Sequence, residues 1–335
     1  MTSALLEPEL LDLHPAAADM ERLVREGLRR SPRQLPAWFL YDEEGSRLFE
    51  AICCQPEYTL TATETALLEA RAPAMAAAMG SGVLVEFGAG SARKVSPLLR
   101  ALDGPAYVAL DISAAHLRSA CRDLQGRHPG VPVLGICCDY TSLERLPDHP
   151  LLERRNRLGF FPGSSLGNFN RAEALGLLRQ FARLLGPGSQ LLIGIDQPKS
   201  ERRLEAAYDD RAGVSAAFAL NLLRRLNRDL GGDFDPSAFR YRARWQPQQQ
   251  RIEMALVSER DQWVSVAGER WHFAGGEPLI TEHSVKYDPA RFLALAEQAG
   301  WRARERWSDP AGDLSVHLLG QADSSATEPQ LDEQR

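Results

Sequence analysis

The chain has 335 residues, 44% hydrophobic and 25% charged, an ordinary globular composition with room for one large domain or two smaller ones. A net charge of −6, without interleaved aromatic and basic residues, argues against a nucleic-acid-binding face. No apolar run reaches membrane-spanning length and the N-terminus lacks a basic segment followed by an apolar one, so a cytoplasmic protein with no membrane partner is expected.

In chain order, residues 1–20 read as a loose tail. An amphipathic helix follows at 19–30, acidic at its start and basic at its end, and Ser31-Pro32 stops it. Residues 44–54 and 63–79 read as helices, with Thr61-Ala-Thr-Glu64 as a capping box for the second. From 83 to about 196, strands near 83–87, 107–111, 133–137, 158–161 and 190–195 alternate with helices near 92–102, 114–126, 142–147 and 171–185. Gly186-Pro187-Gly188 closes the last of these helices. Such alternation predicts an α/β fold with one doubly wound sheet. Residues 199–230 are mainly helical, and β-rich segments follow at 239–245, 250–257, 262–273 and 279–287. A helix at 289–299 and strands at 301–307 and 314–319 complete the sheet, so 197–285 reads as an insertion. It is expected to pack with residues 21–60 as a substrate-binding lid over a cofactor-binding domain made of 61–196 and 286–320, with a tail at 321–335.

The chemistry concentrates at strand ends. Val83-Leu-Val-Glu-Phe-Gly-Ala-Gly-Ser91 is a buried strand running into a glycine turn, where Gly88 and Gly90 let a ligand approach the backbone. Asp111 ends the next strand, roughly 20 residues on, where a carboxylate can bind both hydroxyls of a ribose. A dinucleotide fingerprint needs a third glycine; Arg93 stands there, followed by Lys94. The pattern therefore points to S-adenosylmethionine (SAM), with a nucleotide, NAD or a purely structural turn as alternatives. The expected architecture is accordingly a Rossmann-like class I SAM-dependent methyltransferase fold with an inserted α+β lid.

The run Val133-Leu-Gly-Ile-Cys-Cys-Asp139-Tyr140 ends in an acid suited to an adenine amine. Leu158-Gly-Phe-Phe-Pro-Gly163 leads into a Gly/Ser loop with Asn168, which as a fourth strand end should face the methyl acceptor. On its own that loop would read only as a turn. In Leu279-Ile-Thr-Glu282-His-Ser284-Val-Lys-Tyr287, strand alternation puts Glu282 and Ser284 on one face and His283 on the other. A carboxylate beside a hydroxyl suits an imidazole or an amine, though such a pair is commonly plain surface. Met254, Tyr208 and Tyr58 read by default as packing residues. The five cysteines, two adjacent pairs and one alone, have poor metal spacing and an odd count, and the seven histidines form no metal motif, so reduced thiols and no metal site are expected.

Several separate motifs resemble the histidine-specific Nα-methyltransferases of ergothioneine biosynthesis, over roughly residues 25–320. They are Leu35-Pro-Ala-Trp-Phe-Leu-Tyr41-Asp, Pro56-Glu-Tyr58-Thr-Leu-Thr-Ala-Thr-Glu64, Phe87-Gly-Ala-Gly-Ser-Ala-Arg-Lys94, Gly163-Ser-Ser-Leu-Gly-Asn168, Ala207-Tyr208-Asp-Asp, Arg251-Ile-Glu-Met254 and Thr281-Glu282-His-Ser284. The resemblance implies trimethylation of the α-amine of L-histidine to hercynine, with SAM as cofactor; nothing in the sequence suggests an obligate dimer, and a monomer is expected. It implies that Tyr41, Gly88, Lys94, Asp111, Asp139 and Tyr140 line the SAM site. Tyr58, Gly163, Asn168, Tyr208, Met254, Glu282 and Ser284 would line the histidine site. Asn168 and Tyr208 would hold the substrate carboxylate; Glu282 and Ser284, helped by Tyr58, the imidazole. Tyr41, at the junction of the two sites, would orient the amine. Two alternatives stay open: a SAM-dependent methyltransferase of another amino acid or small amine, such as a tryptophan derivative, and a non-catalytic SAM-binding regulator.

Overall fold

The computed structural model describes residues 8–13, 17–153 and 156–321. Its strands and helices are, in order, β1 (Glu9–Asp12), α1 (Ala17–Leu28), β2 (Arg33–Gln34), α2 (Glu43–Cys53), α3 (Leu60–Met79), β3 (Val83–Phe87), α4 (Ser96–Ala101), β4 (Ala106–Asp111), α5 (Ala114–Arg127), β5 (Val133–Cys137), β6 (Arg157–Phe161), α6 (Arg171–Leu185) and β7 (Gln190–Asp196). Then come α7 (Glu201–Tyr208), α8 (Val214–Leu230), β8 (Phe239–Gln246), β9 (Arg251–Ser258), β10 (Gln262–Val266), β11 (Glu269–Phe273), β12 (Pro278–Val285), α9 (Pro289–Gln298), β13 (Trp301–Ser308) and β14 (Leu314–Gln321).

Among the described residues the main sheet has eight strands in the order β1-β5-β4-β3-β6-β7-β14-β13. The strands from β1 to β7 run parallel, and β14 and β13 are antiparallel. Strand alternation divides the apolar side chains between two cores. Val83, Val85 and Phe87 face Leu177 and Phe181 of α6 and Phe292 and Leu295 of α9. Leu84, Tyr107 and Phe160 face Leu68 and Met75 of α3, Leu98 of α4 and Leu117 of α5. Both faces are thus covered, which is why the central strands read as continuous apolar runs. At roughly 25 cal/mol per Å² of apolar surface removed from water, both layers stabilise the sheet.

Local signals set several boundaries. Asn170 caps α6: its Oδ1 accepts from Ala172 N and Glu173 N at 2.9 and 3.1 Å, while Glu173 Oε2 accepts from Asn170 N at 2.9 Å. Gly186, at φ +83°, ends that helix. The four-stranded second sheet, β2-β12-β9-β8, joins Arg33–Gln34 to Leu279–Ile280 in parallel. Its apolar partners are α1, α2 and α8, through Val24, Leu48, Phe218 and Leu222 packed on Leu256 and Leu279. Residues from the first fifth of the chain therefore share a core with the inserted segment.

Some expectations need correction. Residues 9–12, expected in a loose tail, form β1 against the edge of β5, Glu9 opposite Leu134 and Asp12 opposite Cys137, and α1 begins at 17. Residues 1–7, 14–16 and 322–335 of the expected tails lie outside the described residues. The expected helix at 142–147 is the end of a turn followed by irregular chain; Pro147 and Pro150 leave too few residues to propagate one. The segment 262–273 is a hairpin, β10 antiparallel to β11. The capping box at Thr61 does not form. The helix starts earlier, Thr61 Oγ1 donates to Cys53 Sγ at 3.3 Å, and Glu64 turns inward. No helix among the described residues is long and apolar enough to cross a membrane.

Candidate functional site

The carboxyl ends of β3, β4 and β5 meet at one edge of the main sheet. Past β3 the chain turns through Gly88 at φ +74° and Gly90 at φ +52°, a backbone conformation that a side chain would strain. Gly88 N and Ala89 N donate to Leu110 O at 2.8 and 3.0 Å, which fastens the turn to the end of β4. Asp111 locks it further: Oδ2 accepts from Gly90 N at 2.9 Å and Oδ1 from Ser113 N at 3.0 Å. A Cβ on Gly88 would reach 3.6 Å from the Tyr140 hydroxyl, so the glycine keeps open the gap in front of that ring. Tyr140 itself packs edge-on against Phe87 and Phe161. Asp139 Oδ1 accepts from Thr141 N and Oγ1 at 2.9 and 2.6 Å, and its carboxylate is half-buried. Gly88, Asp111, Asp139 and Tyr140 are thereby brought together.

Lys94 lies at the boundary of this region. Its Nζ donates to Glu64 Oε2 at 2.7 Å, and the same carboxylate accepts from Gly163 N at 2.8 and 2.9 Å. Glu64 is wholly buried. A Cβ at Gly194 would come within 1.9 Å of its Oε1, so a glycine in β7 makes room for the carboxylate. Glu64 thus ties the glycine-turn side of the fold to the loop after β6.

That loop begins at Gly163, φ +83°, and Ser164, φ +56°, then makes a short 3-10 turn over Ser165–Asn168. It forms one wall of a cavity. Tyr41, Tyr58, Gly163, Asn168, Tyr208, Met254, Glu282 and Ser284 all line it, with Phe49, Phe218, Tyr241 and Thr281. All seven residues expected at the acceptor site, and Tyr41, therefore converge on one space. A neighbouring cavity of about 220 Å³ shares Tyr58, Ala207 and Tyr208 with it and adds Asp196, Lys199 and Arg203.

The walls divide into two polar ends. At one, Glu282 Oε1 accepts from Asn168 Nδ2 at 2.8 Å and from the Tyr41 hydroxyl at 3.4 Å. Burial pushes the Glu282 carboxyl up to about 8, against the pull of Tyr41 and Lys286. Tyr41 is held by the edges of Phe49 and Phe218, and burial, then Glu282, raises its phenol. At the other end the Tyr208 hydroxyl and Ser284 Oγ are 2.7 Å apart, and Tyr58 stands edge-on to the Tyr208 ring. A bulge in β12 between Ile280 and Glu282 sets the phase: Glu282 pairs with Met254 and Ser284 with Ile252. His283 faces the opposite way, 3.6 Å from Glu253.

Sequence reasoning missed three charged members of this neighbourhood. Lys286 is wholly buried, and its Nζ donates to the Tyr208 hydroxyl, Ser284 Oγ and Asp196, at 2.7, 2.7 and 2.6 Å. Burial works against its charge, but Asp196 and Tyr208 outweigh that and raise its pKa. The signal was present: Lys286 continues the alternation of Glu282 and Ser284. Asp196 ends β7 as Asp111 ends β4, a parallel that went unread. Glu64 carried no signal beyond the capping pattern that misassigned it. Among the described residues no group of three or more histidine, cysteine or acidic side chains could hold a metal ion.

Comparison with known proteins follows the same lines. A family model described as "Histidine-specific methyltransferase, SAM-dependent" matches residues 20–321. A histidine N-alpha-methyltransferase of Mycolicibacterium smegmatis is 40% identical over 309 residues, covering 90% of this chain and 95% of that protein. One from Mycobacterium tuberculosis is 36% identical over 305 residues, covering 89% and 94%. Ergothioneine biosynthesis protein 1 of Neurospora crassa is 31% identical over 311 residues, 87% of this chain but 33% of that longer protein.

Proposed function

The chain belongs to the histidine-specific, SAM-dependent methyltransferase family, and from that membership we propose how its site is used. The protein is a SAM-dependent enzyme of the class I methyltransferase fold that methylates the α-amine of L-histidine, in the chemistry of ergothioneine biosynthesis. In our reading it adds three methyl groups and yields hercynine. The convergence of seven acceptor-side residues and Tyr41 on one cavity is the observation that carries this reading.

The glycine turn suits the cofactor because a Cβ at Gly88 would fill the gap before Tyr140, and Asp111 is fixed at the end of β4. Gly88, Asp111, Asp139, Tyr140, Lys94 and Tyr41 would hold SAM, Asp111 at the ribose and Asp139 at the adenine. When bound, SAM supplies an electrophilic methyl group on a sulfonium, and the protein's part is orientation. Glu282 at one end and Ser284 at the other take the imidazole, with Tyr58 beside it. Asn168 and Tyr208 take the carboxylate, and Met254 shapes the wall. Tyr41 orients the amine, and its ring face steadies the charge that grows there. Gly163 offers no side chain to obstruct an amine that gains methyl groups. Solvent takes the protons released. Residues 21–60 and 197–285 act as the lid over the domain made of 61–196 and 286–320. We place the enzyme in the cytoplasm as a monomer, with a small-molecule substrate and neither nucleic acid nor membrane as partner.

The test is mass spectrometry of L-histidine incubated with SAM and the purified protein. Trimethylated histidine is the expected product. Absence of any methylated histidine, with SAM still bound, would remove the substrate assignment and leave the fold.

A further inference from the structure

The buried lysine under the acceptor cavity has no place in the reading above. A buried ion pair adds little net stability compared with apolar packing, so stability alone is a weak reason for an ammonium at this position. Lys286 has three N–H donors and three partners: Asp196, the Tyr208 hydroxyl and Ser284 Oγ. Each hydroxyl oxygen therefore already accepts one strong, charge-assisted hydrogen bond from beneath.

The proton count then restricts what the two hydroxyls can do. They own two protons between them, and their 2.7 Å contact uses one. The other must leave the pair. Because Lys286 satisfies both oxygens from below, both hydroxyls can also turn outward at once and donate to a ligand. The local charge agrees. Asp196 pairs with both Lys286 and Lys199, so two cations share one anion behind this wall. The Tyr208 ring lies 4.6 Å from the ammonium and couples the phenol to it.

We propose that Lys286 is a specificity-determining positioning residue, which frees Tyr208 to donate to the substrate carboxylate while Ser284 donates to the imidazole, so that the cavity selects acceptors carrying a free carboxylate over amines that lack one. This rests on the reading of the cavity as the methyl-acceptor site. Lys286 touches no substrate; it acts through the two hydroxyls. A neutral apolar side chain in its place would leave the hydroxyls bonded to each other, with only one proton to offer.

The test uses the full-length protein and two probes, L-histidine and histamine, which share the imidazole and amine but not the carboxylate. The variants are Lys286→Met and the charge-balanced pair Lys286→Met with Asp196→Asn. The expected result is a rise of about 30-fold in KM for histidine, the size of a charge-assisted hydrogen bond. The SAM dissociation constant should stay within about twofold and activity on histamine should be unchanged, so the preference for histidine falls by the same factor. An unchanged histidine KM would overturn the proposal, and so would equal losses on both acceptors, the mark of a merely structural role. Should neither variant fold, Tyr208→Phe decides, since it removes the donor that Lys286 is proposed to hold while Ser284 stays in place: an unchanged preference for histidine over histamine overturns the proposal, and a fall of about 30-fold supports it. A wild type that methylates no histidine defeats the underlying assignment, and this shows before any variant is made.

Discussion

Asn168 and Glu282 meet at one end of the cavity, Nδ2 donating to Oε1 at 2.8 Å. One of these residues comes from the loop after β6 and the other from the second sheet, so this bond joins the two sheets at the cavity. A substrate that takes either group must compete for it. Glu282→Ala should weaken histidine binding by about 10- to 100-fold, the range for leaving a buried hydrogen-bond partner unsatisfied, and leave SAM binding unchanged. Titration calorimetry with each ligand separately checks this. Unaltered histidine affinity would remove Glu282 from the acceptor's binding set.

The same carboxyl makes stability depend on pH. Burial raises its pKa from 4.5 to about 8, and burial does the same to Glu86, which accepts from the Tyr107 hydroxyl at 2.5 Å. A carboxyl with a raised folded pKa holds its proton more tightly in the native state. Its contribution is therefore complete below the unfolded pKa, near 4.5, and is lost as pH rises towards 8. Glu282→Gln and Glu86→Gln should each gain stability relative to wild type across that window. Denaturant unfolding at pH 5, 6.5 and 8 measures the difference; parallel curves for variant and wild type would contradict it.

Asp111 offers a test on the cofactor side. Asp111→Asn keeps one acceptor oxygen for either Gly90 N or Ser113 N but loses the charge suited to ribose hydroxyls. SAM affinity should fall by about 10- to 100-fold, while the histidine KM at saturating SAM stays near wild type. A parallel loss of both would mean that the turn itself had collapsed.

Tyr41→Phe keeps the ring between Phe49 and Phe218 and removes only the hydroxyl near Glu282. If that hydroxyl orients the amine, kcat should drop by about 10- to 100-fold with little change in the affinity for SAM. Single-turnover measurement of the first methyl transfer isolates the step. A normal rate there would reduce Tyr41 to a packing residue.

Gly194 exists for Glu64. Its missing Cβ would stand 1.9 Å from Glu64 Oε1, so Gly194→Ala must push the carboxylate off Gly163 N and Lys94. The cost should be about 1–3 kcal/mol of stability, with SAM and histidine affinities both reduced. A thermal unfolding curve like that of the wild type would show that Glu64 has another place to go.

Much of this arrangement was legible before the structure because its logic is local. Apolar runs that end in Asp111 and Asp139 announce parallel strands and their ligand-facing ends. A period of two places Glu282 and Ser284 on one face without knowledge of the bulge that sets their phase. What stayed hidden depends on distant partners. Glu64 has the spacing of a capping residue, yet Lys94 and Gly163, from two other segments, claim its carboxylate. Residues 9–12 are too few and too mixed to read as a strand until the free edge of β5 is there to pair with them. Lys286 drew no reading from the sequence; Asp196 on β7, far away in the chain, is what makes its burial tolerable.

The parallel pairing of Arg33–Gln34 with Leu279–Ile280 also has a meaning for how the molecule comes into being. A ribosome delivers Tyr41 and Tyr58 early, but Glu282, Ser284 and Lys286 emerge only after most of the chain has been made. Strands β3 to β7 can assemble as they appear, whereas the N-terminal helices must wait with an unpaired apolar face until β12 arrives. The cavity is thus completed late on the nascent chain, when only α9, β13 and β14 have still to emerge. Its first half is the segment most in need of chaperone cover while synthesis continues.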